Sequence, residues 1–405
     1  MIYLDHSATT AVDKKVFAKM QPYFSEKFGN ASSIHSKGME ASQAVEEARE
    51  QIADFLNTSS GEVIFTSGAT ESDNLAVFGV AEQLQKDGYK LTDLHFITTS
   101  VEHPAVEEPF LKLKDQGAQV TFLPVQSNGV VDIKEVKNTI KDNTVLISMV
   151  YVNSEVGAKQ PIEAVGKLVS AEKNKRQNEN NNLPLIFHTD AVQAANFFTC
   201  DVEKLQVDLL SLSGHKVYGP KGIGALYVRK GTKLIGQQIG GHQENNLRSG
   251  TYNVPAIVGM GEALTLVKKN QEENNKYLRK LQKKLITGIQ KKIEDSFLNT
   301  DVENSTPAHV HFAFPGAEGE AVLMELDMEG ICVSTGSACA STSLKSSPTL
   351  LAMGVPKEIT HGAIRMTLGL DNTEDDINKV LEILPKVIAK YRAMSPKGLD
   401  YGEAK

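Results

Sequence analysis

Few residues in this chain stand where side chains can react rather than pack. Lys216 closes the run LLSLSGHK and opens onto the turn VYGPKGIG, so an amine sits at the end of an apolar strand. Open α/β sheets gather their ligands at strand ends of that kind. Asp190 ends the strand-like FHTD, with Gln193 in the segment that follows. A buried carboxylate there needs a cation or hydrogen bonds, and an ion pair with Lys216 would satisfy both groups. His103, in SVEHPAV, follows a third strand end. It can cap a helix, sit in the core, stack on a planar group or relay a proton. Cys339 lies in STGSACASTSL, among serine, threonine, alanine and glycine residues that bury little and make a poor helix interior. That composition predicts an open loop carrying a thiol.

Another segment adds a place for an anion. FTSGATESDNLAVFG (65–79) reads as strand, turn and helix, so Ser67–Thr70 would bring backbone N–H groups and hydroxyls to a helix N-terminus. The pattern GxxxxGK[ST] is missing, so the turn is not a P-loop, and a plain Ser/Thr cap would also explain it. A strand-end lysine with a strand-end aspartate is the pair that pyridoxal 5′-phosphate (PLP) chemistry uses. The amine forms a Schiff base, and the carboxylate keeps the pyridine nitrogen protonated so that the ring accepts electrons. His215, beside the lysine, is expected near any such cofactor.

These residues need a frame. From residue 60 to about 230, short apolar runs alternate with amphipathic helices. Residues 62–67, 95–100, 119–125, 144–152, 185–190, 207–213 and 225–229 read as strands. Residues 35–56, 71–86, 104–116 and 161–172 read as helices. Several strands are apolar nearly throughout, as buried parallel strands covered on both faces are. A three-layer α/β fold follows, without a readable strand order. Past Pro255 the texture changes to a long helix over 256–295 and strands at 309–313, 331–334 and 362–369. Helices near 319–327 and 373–393 complete it. The predicted division is a large α/β domain over 14–255 and a smaller α+β domain from 1–13 and 256–405.

With 405 residues the chain is long enough for two cores. Its 40% apolar and 23% charged composition is that of a globular protein. No apolar run is long enough to span a membrane. The opening MIYLDHSATT has neither a basic nor an apolar signal region, so a cytoplasmic location is expected. Net charge is −7 without long blocks, which argues against direct nucleic-acid binding. The polar tract AEKNKRQNENNN (171–182) reads as a solvated helix end and loop. Three cysteines without a C-x-x-C pair disfavour disulfides and a metal site. Cys332 and Cys200 are expected to be packed inside.

The order and spacing of YLDHSATT, TSGATESDN, SVEHPAV, YVNSEVG, HTDAVQA, SGHKVYGPKGIG, GGHQENNLRSGTYNVP, STGSACAS and IRMTLG closely resemble the PLP-dependent cysteine desulfurases of the class V aminotransferase family. The segment lengths are most similar to the iron–sulfur-assembly branch. The resemblance covers nearly the whole chain and implies the fold type I (aspartate aminotransferase-like) architecture of PLP transferases. It implies that Lys216 carries the cofactor, Asp190 partners its ring nitrogen, Gln193 its phenolic oxygen, and His103 stacks over the ring. It places the phosphate among Ala69, Thr70, Ser213 and His215, with Thr251 supplied by the second subunit of a homodimer. Asn153 and Arg365 would hold the carboxylate of L-cysteine, Arg365 through its planar fork. Cys339 would take the sulfur as a persulfide, leave L-alanine, and pass the sulfur to an acceptor protein, an iron–sulfur scaffold or a tRNA-thiolation enzyme. Two departures bear on which acceptor docks. GGHQENNLR is poorer in arginine than is usual before RSGT, and LKSSP stands where an acidic residue and proline usually follow the leucine. Other enzymes of the fold, selenocysteine lyase or an aminotransferase, and a non-catalytic scaffold are the competing assignments.

Overall fold

The computed structural model describes residues 1–335 and 346–395. Gly336, Ser337, Ala338 and Cys339 lie outside the described residues. In chain order the strands are β1 (Ile2–Tyr3), β2 (Val63–Thr66), β3 (His95–Thr99), β4 (Gln119–Leu123), β5 (Thr144–Val150), β6 (Ile186–Asp190), β7 (Leu209–Ser213) and β8 (Gly224–Val228). After the long helix come β9 (Phe297–Leu298), β10 (His309–Ala313), β11 (Ile331–Cys332), β12 (Ser334–Thr335) and β13 (Ala363–Thr367).

Seven strands form the large sheet in the order β2-β8-β7-β6-β5-β3-β4. Six point the same way, and β8 runs antiparallel to both neighbours. The expectation of a parallel sheet is corrected at that one strand, for a connectivity reason. Parallel neighbours need a crossover of a dozen or more residues, usually helical. The link from Ser213 to Gly224 is short, opens on the turn Gly214–Lys216 and holds no crossover helix, so the chain doubles back.

Side chains alternate across this sheet. Ile64, Leu146, Leu209 and Leu226 enter one apolar cluster with the helices Ala69–Lys86 and Pro104–Asp115. Phe65, Ile147, Leu210 and Ala225 enter the other, against the helices Ser36–Leu56 and Ile162–Asn178. That is the two-residue period of a strand buried on both faces. Phe187 is fully buried there, and its truncation to alanine is expected to destabilise by about 3–5 kcal/mol.

The helix Val254–Lys292 joins the two cores. Its first turns, Val254 to Val267, pack in the large cluster, and Leu278 to Ile289 pack in the small one with Ile2, Leu4 and Phe312. The small sheet has the order β12-β13-β10-β9, while β1 pairs in parallel with β11. Thr373 and Asp376 form a reciprocal cap at the start of the last helix, Glu374–Met394.

Two local expectations change. The helix expected over 161–172 continues to Asn178 because Arg176 is buried, its guanidinium donating to the carbonyls of Thr144 (2.8 Å) and Lys141 (2.7 Å). Cys332 is half-exposed rather than packed inside. Ile331 takes the inward side of the two-residue strand, so its neighbour points outward, with Sγ 3.7 Å from Asp327 Oδ1. Cys200 is buried, and burial pushes its thiol up to about 12. No helix among the described residues is long and apolar enough to cross a membrane.

Candidate active site

The C-terminal ends of β2, β3, β5, β6 and β7 open on one edge of the large sheet, and a cavity of about 570 Å³ lies there. Its wall includes Ala69, Thr70, His103, Asp190, Gln193, Ser213, His215, Lys216 and Arg365. Nine residues expected at the site therefore converge on it, Arg365 from the small sheet and the others from the large sheet's strand ends and the segments that follow them. The volume is in the range of small-molecule sites.

Lys216 leaves β7 on the turn Gly214–Lys216. Its Nζ donates to the carbonyls of Ser7 and Ala8, the latter at 2.7 Å. The Gln193 amide donates to the same Ser7 carbonyl at 2.8 Å. Thr10 holds the turn from the other side, its backbone N–H donating to the His215 carbonyl at 2.9 Å. The N-terminal segment thus clamps the lysine through two neutral carbonyl oxygens.

Asp190 ends β6 at 5% exposure. Oδ1 accepts the Val192 N–H at 2.9 Å. Burial raises its pKa, while the nearby His103 and Lys216 pull it down. His103 caps the helix Pro104–Asp115, Nδ1 accepting the Ala105 N–H at 3.1 Å, which assigns the proton to Nε2. The capping role and the cavity-facing role coexist. His215 Nδ1 lies 3.2 Å from Thr9 Oγ1. Burial and then the charges of Lys216 and Lys221 bring it down to about 4, so the ring is neutral at pH 7.

Ala69 and Thr70 form the first turn of the helix Ala69–Lys86, preceded by Gly68 at φ 156°. A Cβ on Gly68 would meet nothing within 4 Å, whereas one on Gly224 opposite would strike the Gly68 backbone at 2.7 Å. Glycines at both places keep the backbone close and the turn open toward the cavity. The first-turn N–H groups have no intrahelical acceptor and carry the positive end of the helix dipole. An amine, a buried carboxylate and such a turn around one cavity fit PLP.

Arg365 comes from the middle of β13, paired with Ser334 on one side and His311 on the other. One guanidinium nitrogen donates to Asp5 Oδ1 at 2.7 Å and another to the Ser154 carbonyl at 3.1 Å. Nε is buried without a partner among the described residues. Asp5 holds the fork where a ligand carboxylate could replace it.

Two expected residues stand apart. Asn153 does not line the cavity. Its amide is engaged by the Val101 carbonyl, Thr349 and the N–H groups of Glu155 and Val156. Thr251 is exposed and outside the cavity of the single chain. Sequence reasoning passed over Asp5 and Ser7, though the polar opening LDHSATT was a signal. It also passed over Asp73, a lining residue, and Glu102 behind the wall.

The aminotransferase class-V family model matches residues 2–380. The chain is 45% identical over 395 residues to a cysteine desulfurase IscS of Dictyoglomus turgidum, covering 98% of this chain and 96% of the relative. It is 44% identical over 402 residues to the cysteine desulfurase IscS of Clostridium botulinum strain Hall, covering 99% and 97%. Among solved structures, a NifS-like protein superposes with a TM-score of 0.86 at 36% identity, covering 96% of this chain and 99% of the other. A structure described as SspA in complex with cysteine superposes at 0.77 with 33% identity, covering 91% and 99%.

Proposed function

The chain belongs to the class-V aminotransferase family and, within it, to the NifS-like cysteine desulfurases, and from that premise we propose how its own residues divide the work. The reaction takes sulfur from L-cysteine, leaves L-alanine and holds the sulfur as an enzyme persulfide. PLP, when bound, supplies an electron-accepting ring for carbanion chemistry at the substrate Cα.

The observation that carries the assignment is the convergence of Lys216, Asp190 and the Gly68–Thr70 turn on one cavity. Lys216 would anchor the cofactor, and its amine is placed to take the Cα proton of the substrate. The carbonyls of Ser7 and Ala8 aim that amine. Asp190 holds the proton on the ring nitrogen, and Gln193 turns its amide from Ser7 to the phenolic oxygen. His103 covers one face of the ring. The Ala69 and Thr70 N–H groups, with Ser213 and His215, hold the phosphate, and Thr251 of a second copy completes that site in a homodimer. Arg365 exchanges Asp5 for the substrate carboxylate. Asn153 contributes by fixing the loop beneath it, or by releasing its amide when substrate arrives.

Cys339 is the proposed sulfur nucleophile. The thiolate, not the thiol, attacks the substrate sulfur; the carbon–sulfur bond breaks as the sulfur–sulfur bond forms. The described residues that bracket it are anchored beside the cavity. Ser334 pairs with Arg365, and on the far side Ser347 donates to Glu155 at 2.7 Å. The proposed acceptors are an iron–sulfur scaffold or a tRNA-thiolation enzyme, and the proposed setting is the cytoplasm.

The test is production of L-alanine and sulfide from L-cysteine by PLP-loaded protein, with Lys216→Ala and Cys339→Ala as controls. Loss of turnover in both supports the assignment. Undiminished cysteine turnover in Cys339→Ala would overturn the thiol's role.

A further inference from the structure

Asp190 is one of three carboxyls in the same region, with Asp73 and Asp190 buried and Glu102 half-buried. Asp73 comes from the second turn of the helix Ala69–Lys86 and is fully buried. Both of its oxygens lack a hydrogen-bond partner among the described residues, although Ser211 and His188 lie alongside. His188 Nε2 is 3.5 Å from Asp73 Oδ1. That ring is held between Ser148 (2.8 Å) and Ser211 (3.0 Å), and burial brings it down to about 3, so it is neutral and offers Asp73 no charge. Glu102 follows β3. Its Oε1 accepts the Thr99 hydroxyl at 2.6 Å and the Val150 N–H at 2.9 Å, while Oε2 is buried without a described partner.

The three groups repel one another when charged. Among the described residues, only Asp190 has basic side chains acting on it, His103 and Lys216, in addition to the Val192 N–H. We propose that Asp73 and Glu102 are positioning residues, un-ionised carboxyls that flank Asp190 and leave it as the one anion of this buried cluster. The inference rests on the PLP reading, in which that single charge faces the ring nitrogen.

The physical case is a division of roles by environment. A buried carboxylate with no cation beside it and few donors pays most of its desolvation uncompensated, so it keeps its proton. Burial, then repulsion by Asp190, raises Asp73 well above the ordinary range. Burial raises Glu102 to about 8 against the pull of its two hydrogen bonds. With neutral neighbours, Asp190 answers only to the cations and to whatever occupies the cavity.

The test is infrared spectroscopy of the full-length chain, apo and after loading with PLP, whose visible band reports loading separately. At pH 7 exposed carboxyls are ionised, so the carbonyl stretch of a protonated carboxylic acid reports buried ones. The expected result is such a band in the wild-type chain, weakened in Asp73→Asn and in Glu102→Gln and intact in Asp190→Asn. In the wild type, part of it should vanish as pH rises through about 8. That titration needs no variant and decides the matter if a substitution prevents folding. A wild-type chain without the band at pH 7, or a band removed by Asp190→Asn alone, would overturn the proposal. Failure of the visible band to appear with added PLP would instead count against the cofactor reading, leaving the apo result to stand.

Discussion

Glu244 and Asp190 are carboxylates buried to the same degree, each 5% exposed, and they do opposite things. Glu244 is saturated. Both oxygens accept from the Arg49 guanidinium at 2.7 Å, and Oε2 also takes the Phe65 N–H at 2.7 Å. Arg49 in turn lies over the Phe65 ring, 4.6 Å from its centroid. Nothing is left over for a ligand. Asp190 takes the Val192 N–H and faces a cavity, with His103 and Lys216 nearby. A buried charge whose hydrogen bonds are complete ties strands to helices. A buried charge with capacity to spare marks a place where something must bind.

The comparison can be broken from either side. The largest effect is expected from Lys216→Ala, which should lower cysteine turnover by roughly 10²–10⁴-fold while leaving thermal unfolding of the apo-protein nearly unchanged. Steady-state alanine production and calorimetry check the two halves. Arg49→Ala should do the reverse. It strands a buried carboxylate and should cost about 3–5 kcal/mol of stability by denaturant titration, with turnover per folded molecule retained. Arg365→Lys comes next: losing the bidentate fork should weaken substrate binding by about 1.5–3 kcal/mol, read as a raised KM for L-cysteine.

Acid sharpens the contrast at His188. Its folded pKa, about 3, lies below the unfolded value near 6.5. The unfolded chain therefore binds more protons across that window. Stability is present above about 6.5 and falls as pH drops toward about 3. His188→Asn should flatten this fall in urea titrations run between those pH values. The smallest effect is expected at Cys332. Half-exposed on an edge strand, it should tolerate serine within about 0.5 kcal/mol and without loss of sulfur transfer, as single-turnover assays would show.

Much of the cavity was legible because strand ends are legible. Lys216 and Asp190 each close an apolar run, and His103 stands before a proline that opens a helix. What sequence could not supply was long-range contact. Ser7 meets Lys216 across 209 positions, and no local pattern connects a carbonyl to an amine at that distance. Asp73 and Glu102 sit in polar stretches, TESDN and SVEHP, whose composition does not tell which carboxyls the fold will bury. Asn153 has a residue type suited to a ligand carboxylate, but its amide is occupied by the loop around it. The reversal of β8 follows from the short turn after Lys216, a topological fact that apolar periodicity does not carry. Cys332 shows the same limit at smaller scale, since an apolar run of two paired residues does not say which side faces out.

The most direct measurement is a single turnover of the PLP-loaded chain with L-cysteine, followed by mass analysis of the peptides. One L-alanine per active chain and one added sulfur atom on the peptide bearing Cys339 is the predicted result. Alanine formed with that peptide unmodified and the sulfur on Cys200 or Cys332 would contradict it.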